Sequence, residues 1–115
     1  MSGHEPRRVV VGLVDDVMDR SRLGALGDVT WVRSADEAAG RTPDVVIVDL
    51  ARHGDEIGAL RDLAPASLIV AFGPHVDAPL LAEATAAGAD RVLPRSRFFA
   101  DPAAALAPDG GSARA

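Results

Sequence analysis

Three continuous apolar runs of strand length divide this chain, and they constrain its fold more than any other feature. The runs are Val9 to Val14, Asp44 to Val48 and Leu68 to Ala71. A strand with one face in water alternates apolar and polar residues, whereas a strand covered on both faces is apolar throughout. The runs therefore predict buried strands of a parallel sheet with a layer of helices on each side.

Helical segments separate these runs, as expected of an α/β protein. Ser34 and Glu37 have the spacing of a capping box, in which the serine accepts from the amide three residues on and the glutamate reaches back. A glycine follows both the first and the last predicted helix, and glycine commonly ends helices. The predicted helices are Val17 to Leu26, Ser34 to about Gly40, a segment containing Ile57, Leu60 and Leu63, and Ala78 to Ala87.

Two shorter apolar segments, Val29 to Val32 and Val92 to Leu93, complete a set of five strands. Strands that alternate with helices predict a three-layer, flavodoxin-like doubly wound parallel sheet, for which we choose the order 2-1-3-4-5. The segment between the first two strands is long enough for only a short first helix, and the segment after the fifth strand for only a truncated fifth helix. We expect a flexible N-terminus at 1–6, one domain at 7–98, and a short helical turn with a disordered tail at 99–115.

Composition excludes several classes of function. The chain has 115 residues, no cysteine and a net charge of −5, with 17 carboxylates against 12 arginines. One domain is therefore expected, without disulfides, thiolate metal sites or a thiol nucleophile. Scattered arginines and an acidic balance argue against nucleic-acid binding. No segment approaches the roughly 20 apolar residues that span a membrane, and the polar start lacks a signal peptide, so we expect a cytoplasmic protein.

The segments Pro43 to Leu50 and Ala87 to Arg95 resemble the receiver domain of bacterial two-component response regulators, the CheY-like family. In that family the first segment is the third strand, whose terminal aspartate accepts a phosphoryl group. The resemblance makes Asp49 the phosphoacceptor candidate. The second segment leads into the fifth strand, after which the family places a lysine. Arg95 stands there, in a chain without any lysine.

The resemblance also implies a magnesium site. Receivers bind this ion with an acidic pair after the first strand and with the acceptor aspartate, which would be Asp15, Asp16 and Asp49 here. Hard oxygen ligands of this kind suit Mg²⁺. The alternative is that Asp15 and Asp16 only favour a helix N-terminus through its dipole. The expected cofactor is therefore none, or Mg²⁺ if the acidic site is intact.

Other positions depart from the receiver pattern. The family has a serine or threonine at the end of the fourth strand, whereas 71–74 read Ala-Phe-Gly-Pro and carry no hydroxyl. Ser96 replaces the proline that usually follows the lysine. The planar fork of an arginine prefers a carboxylate, so we expect Arg95 to pair with Asp49. These departures indicate a degenerate receiver, or pseudo-receiver, that is not an enzyme.

Two further patches lie where this fold binds ligands. Phe72, Gly73 and His75 belong to an unusual loop, although Asp77 could simply cap the next helix there. Arg95, Ser96 and Arg97 precede two phenylalanines and could bind a phosphate or an acidic partner, or the rings could only fill the core. Arginines and aspartates on the first helix are expected to form a solvated face.

Three functions remain open. We favour a stand-alone interaction module in bacterial signalling, with a protein partner that is either a histidine kinase or an output protein. The first alternative is a divergent active receiver that uses Asp49 in a phosphorelay. The second is a small-molecule or anion sensor built from Phe72, His75, Arg95 and Arg97. The sequence does not indicate the oligomeric state.

Overall fold

The computed structural model describes residues 8–108, which form a five-stranded, fully parallel sheet. The strands are β1 (Val10–Leu13), β2 (Val29–Trp31), β3 (Val45–Asp49), β4 (Leu68–Gly73) and β5 (Arg91–Pro94). Their order in the sheet is β2-β1-β3-β4-β5, which confirms the flavodoxin-like order predicted from the sequence. The central strands β3 and β4 are almost completely buried, as the continuous apolar runs predicted, whereas β2 and β5 at the two edges of the sheet are only partly buried.

Seven helices and one 3-10 turn cover the sheet within the described part of the chain. The first helix is short, at eight residues. Two short helices follow β5 in place of a full-length fifth helix, so the predicted truncation is confirmed. The helices are α1 (Val17–Gly24), α2 (Ala35–Gly40), α3 (Leu50–His53), α4 (Ile57–Leu63), α5 (Ala78–Ala87), α6 (Arg95–Ala100) and α7 (Pro102–Ala105), and the 3-10 turn is Gly54–Glu56.

Local side-chain contacts explain where the helices begin. The hydroxyl of Ser34 accepts from the Glu37 amide at 3.1 Å, as a capping box requires. The Glu37 carboxylate reaches back to the amide of Arg33 at 2.9 Å, one residue before the cap. Asp77 caps α5 by accepting from the Leu80 amide at 2.9 Å. Such caps satisfy amides that have no partner within the helix.

The sheet has two differently composed faces. On the aliphatic face, Ile57 and Leu60 of α4 and Ala84 of α5 pack on alternate residues of the central strands. Leu63, which shares their helical spacing, is 49% exposed. On the aromatic face, Leu23 of α1 and Phe98 of α6 pack on the other set of strand residues. The helices therefore form the two outer layers of a three-layer fold, as predicted.

The C-terminal helices pack against the sheet. The domain boundary expected after residue 98 lies within α6, and Leu106 beyond α7 is buried in the core of the aromatic face. Arg8 and Arg91 donate to the carbonyls of Leu106 and Ala105 at 2.6 and 2.7 Å. The flexibility expected for 1–6 and the disorder expected for the tail from 109 onward lie outside the described residues. None of the helices between residues 8 and 108 is long and apolar enough to cross a membrane.

Candidate functional site

A polar pocket lies at the edge of the sheet where β1, β3 and β5 end. Parallel strands bring their carboxyl ends to one edge, which is where doubly wound folds bind ligands. The pocket has a volume of about 200 Å³. It is lined by Asp15 and Asp16 after β1, Asp19 of α1, Asp49 at the end of β3, Arg52 of α3 and Arg95 at the start of α6. The sequence thus correctly placed its acidic candidates and Arg95 together.

Asp49 is buried, with 8% of its surface exposed, and it caps the short helix α3. One of its carboxylate oxygens accepts from the Ala51 amide at 3.1 Å. Burial raises the pKa of Asp49 above its usual value, because desolvation disfavours the charged carboxylate more than nearby donors favour it. Its neighbour in register on β4 is Phe72, so no hydroxyl lies beside it on that strand.

Arg95 does not pair with Asp49, and that prediction was wrong. Its guanidinium binds Asp19 through both terminal nitrogens, at 2.8 and 2.6 Å. These hydrogen bonds raise the pKa of Arg95 further above its ordinary value. The same group lies over the rings of Phe72 and Phe99, with its central carbon 5.7 and 4.9 Å from their centroids. Its two hydrogen bonds to Asp19 and its contacts with the two rings leave this arginine little freedom to move.

Asp19 was missed because the charged residues of α1 were expected to face solvent. The structure buries it, with 2% of its surface exposed. Asp16 caps α1 by accepting from the Asp19 amide at 3.0 Å, which places Asp19 in the first turn. Leu23, four residues on, enters the core, so both side chains lie on the inward side of α1. The spacing to Leu23 was the signal that could have identified Asp19.

A second group of polar side chains is centred on the buried His53 and includes Asp15, which lines the pocket. His53, which is 9% exposed, places Nε2 3.0 Å from Asp15 Oδ1 and Nδ1 2.9 Å from Glu56 Oε2. Burial lowers the pKa of His53, but the two carboxylates outweigh it, so the pKa is raised above 6.5. The bond to His53 in turn lowers the pKa of Asp15. This contact could not be predicted from sequence pattern because 38 residues separate its two partners.

Comparison with solved structures identifies the architecture. A two-component response regulator of the LuxR family from Aurantimonas sp. is similar to this chain, with a TM-score of 0.69 and 21% identity over 90% of this chain and 91% of its own. The signal receiver domain of a putative response regulator NarL from Mycobacterium tuberculosis gives a TM-score of 0.68 and 19% identity, over 92% and 97%. The chain has the receiver fold. No protein-family model and no curated protein matches it.

A third similar structure is a response regulator from Burkholderia pseudomallei with a phosphorylated aspartic acid, a calcium ion and citrate. Its TM-score is 0.66 and its identity 22%, over 92% of this chain and 69% of that one. The likeness extends over most of this chain. At such identities it concerns the fold of the receiver and not the chemistry of its site.

The acidic residues of this receiver fold do not form a magnesium site. Mg²⁺ requires near-octahedral oxygen ligation, with carboxylates free to turn toward the ion. Here His53 binds Asp15, the amide of Asp19 binds Asp16, and the amide of Ala51 binds Asp49. Within residues 8–108, no group of three or more histidine, cysteine, aspartate or glutamate side chains has the geometry to hold a metal ion. In this arrangement the three expected carboxylates each accept a hydrogen bond and do not converge as a metal site.

The remaining candidates are not brought together in this receiver fold. Phe72 is fully buried and stacks on Phe98, with ring centroids 4.8 Å apart. Gly73 lies against Leu50, where a β-carbon would approach that side chain to 3.3 Å. His75, Ser96 and Arg97 are exposed and do not line the acidic pocket. Of the four residues of the sensor alternative, Phe72 and Arg95 are in contact, whereas His75 and Arg97 do not line the pocket with Arg95.

Proposed function

We propose that this chain is a degenerate receiver-like domain that binds a signalling protein without the phosphorylation switch of active receivers. One observation carries the proposal: Arg95 forms a forked ion pair with the buried Asp19 at the position where receivers place their lysine. A lysine is a mobile point charge that can follow a phosphoryl oxygen, whereas this guanidinium already has two carboxylate bonds. Binding a phosphoryl group would require Asp19 to lose its partner while buried, which is costly.

The surroundings of Asp49 support the same proposal. Phe72, its neighbour on β4, offers no hydroxyl and is anchored in the aromatic core by its stack on Phe98. The residue that would couple a phosphoryl group to the rest of the domain is thus replaced by a packed ring. We propose that the domain is not an enzyme and that, as expected from the sequence, it works in the cytoplasm of a bacterium.

A binding role is supported by apolar side chains beside the pocket. Val17 and Met18, in the first turn of α1, are 76% and 69% exposed. Both directly follow Asp15 and Asp16, so an apolar patch adjoins an acidic one. A partner segment with a basic residue next to an apolar side chain would complement both. The partner is proposed to be a histidine kinase or an output protein of a two-component system.

Asp49 itself favours a second candidate, the divergent phosphoacceptor. Its carboxylate lines the pocket together with Arg52 and Arg95, and both arginines could balance a phosphoryl group. The anion sensor has less support, because four aspartates in the lining outnumber the two arginines and repel a free anion.

Chemical phosphorylation distinguishes the first two candidates. The protein is incubated with acetyl phosphate and MgCl₂ and its intact mass is measured, beside Asp49→Ala and a receiver known to be active. Thermal unfolding with beryllium fluoride provides a second readout. We expect no adduct and no stabilisation under conditions that modify the control. A phosphoryl adduct that disappears in Asp49→Ala would establish the divergent phosphoacceptor instead.

A further inference from the structure

We infer that a groove between α4 and α5 is a docking site for a basic amphipathic helix of a partner protein. Both helices pack on the aliphatic face of the sheet. The inference goes beyond the proposed function, whose apolar patch of Val17 and Met18 belongs to α1 on the aromatic face. It also does not depend on whether Asp49 accepts a phosphoryl group.

The floor of the groove is formed by small and apolar side chains. The groove has a volume of about 420 Å³. All but one of the residues that form its floor are only partly buried, so their apolar surface is open to solvent. A groove of this kind between two helices can accept a third helix that packs against both. The floor consists of Leu50, Gly54 and Gly58 on one side and Leu80, Ala84 and Ala87 of α5 on the other.

Gly58 keeps the groove deep, although the packing of this chain does not require a glycine at that position. A β-carbon added at Gly58 would meet no heavy atom within 4 Å. At Gly12, by contrast, a β-carbon would lie 2.5 Å from the ring of Trp31, so glycine is required there by packing. Glycine stabilises a helix less than alanine does. An occupant of the groove would account for a glycine in α4 that the domain by itself does not need.

Two carboxylates at the groove indicate the charge of this occupant. Asp55 of the 3-10 turn and Glu83 of α5 line the groove, and both are exposed. Within residues 8–108, neither carboxylate forms an ion pair or a side-chain hydrogen bond. The lining contains no arginine or histidine, so the groove is acidic. A helix with arginine or lysine beside its apolar side chains complements both the charge and the floor.

Selection of displayed peptides tests this inference. A phage library of helical peptides of about 16 residues, roughly four turns, is randomised on one face and selected against the native protein. We expect the enriched peptides to combine apolar residues with arginine or lysine. Their synthetic forms should bind Gly58→Leu more weakly by on the order of tenfold in fluorescence anisotropy, because the leucine fills the groove. The matched control is Ala59→Leu, which adds the same side chain at the next, exposed position outside the groove.

A charge variant keeps the test decisive if Gly58→Leu does not fold. Asp55→Asn combined with Glu83→Gln changes only exposed side chains. We expect it to weaken peptide binding severalfold and to remove most of the salt dependence of that binding. The control is Asp62→Asn, an exposed position of α4 that does not line the groove. Equal affinities for the native protein and the double variant would overturn the inference, and so would enrichment of peptides without basic residues or of no peptide.

Two further outcomes would assign the binding elsewhere. A dimer of the native protein in sedimentation velocity that Gly58→Leu dissociates would show that a second copy fills the groove, and would overturn the partner helix. Full peptide binding by Gly58→Leu, with binding lost in Val17→Ser combined with Met18→Ser, would also overturn the groove and leave only the surface of the proposed function. An adduct at Asp49 would overturn the proposed function alone, since the peptide affinities are measured without phosphorylation.

Discussion

All three phenylalanines and the tryptophan pack on one face of the sheet, whereas the core of the opposite face consists of aliphatic and alanine side chains. Each face also contains an arginine with several partners. On the aromatic face, Arg95 binds a buried carboxylate at the carboxyl edge of the sheet. On the aliphatic face, Arg61 of α4 donates at the opposite edge to the carbonyls of Pro65, Ser67 and Gly88 and to the exposed Asp90.

The residues on which the proposed loss of the phosphorylation switch rests all lie on the aromatic face. In the function proposed above, Phe72 and Arg95 stand where active receivers have a hydroxyl residue and a lysine, and the two side chains are in contact. Asp19 of α1 completes the group by binding Arg95. Because these side chains pack against and pair with one another, replacing only one of them would leave a buried charge without its partner or a cavity. The aliphatic face is an ordinary helix–sheet interface and needs no such matching.

The largest effect is expected from breaking the aromatic core. Phe98 is fully buried, stacks on Phe72 and meets Phe99 edge to face. Phe98→Ala should lower the free energy of unfolding by about 3–5 kcal/mol, because it removes a large apolar side chain and leaves a cavity. Urea unfolding measures the loss. Leu63→Ala, at a half-exposed position of the aliphatic face, is the control, and a similar loss in both variants would contradict the prediction.

Breaking the ion pair of the aromatic face should have the next largest effect. Arg95→Ala leaves Asp19 buried without its partner, and we expect a loss of about 1–3 kcal/mol, below the value for a fully buried pair because the Arg95 side chain is 38% exposed. Arg97→Ala, two residues away and exposed, should change little. A double-mutant cycle with Asp19→Ala measures the coupling. Strictly additive losses would show that the pair does not contribute.

The arginine of the aliphatic face provides the counterpart. Arg61→Ala should cost about 1–2 kcal/mol, because its acceptors are mainly backbone carbonyls, some of which water can reach after the change. Arg41→Ala, exposed at the end of α2, is the control. Urea unfolding of Arg61→Ala and Arg95→Ala under the same conditions compares the two faces directly. A larger loss for Arg61→Ala would reverse the ranking proposed here.

A change of pH is expected to have the smallest effect on the free energy of unfolding. The pKa of His53 in the folded protein is raised above 6.5 by Asp15 and Glu56, with Arg52 as the nearby positive charge. A raised pKa means that the imidazolium favours the folded state, so its contribution is complete below pH 6.5 and is lost as pH rises through the folded pKa. The free energy of unfolding should therefore decrease over that range. In His53→Gln this decrease should be absent; if it persists there, another group is responsible.

Much of the fold could be predicted from local sequence pattern. The apolar run that forms β3 was placed to within a residue, and α5 begins and ends where Asp77 and Gly88 indicated. Helix α3 was not predicted, because four residues after a strand carry no helical periodicity. Asp15, Asp16, Asp49 and Arg95 were expected at one edge, since parallel strands end there. The structure confirms that they share a pocket.

The sequence alone determined the class of fold and the absence of lysine and of a hydroxyl at 71–74, whereas the strand order was a choice among doubly wound folds that the structure confirms. These properties follow from periodicity over a few residues or from composition. Only the tertiary structure decided which charges pair. Arg95 is 76 residues from Asp19, and His53 is 38 residues from Asp15. Periodicity indicates which side of a helix is buried, but the partner of a buried charge depends on how helices pack across the sheet, and that packing is a property of the whole chain.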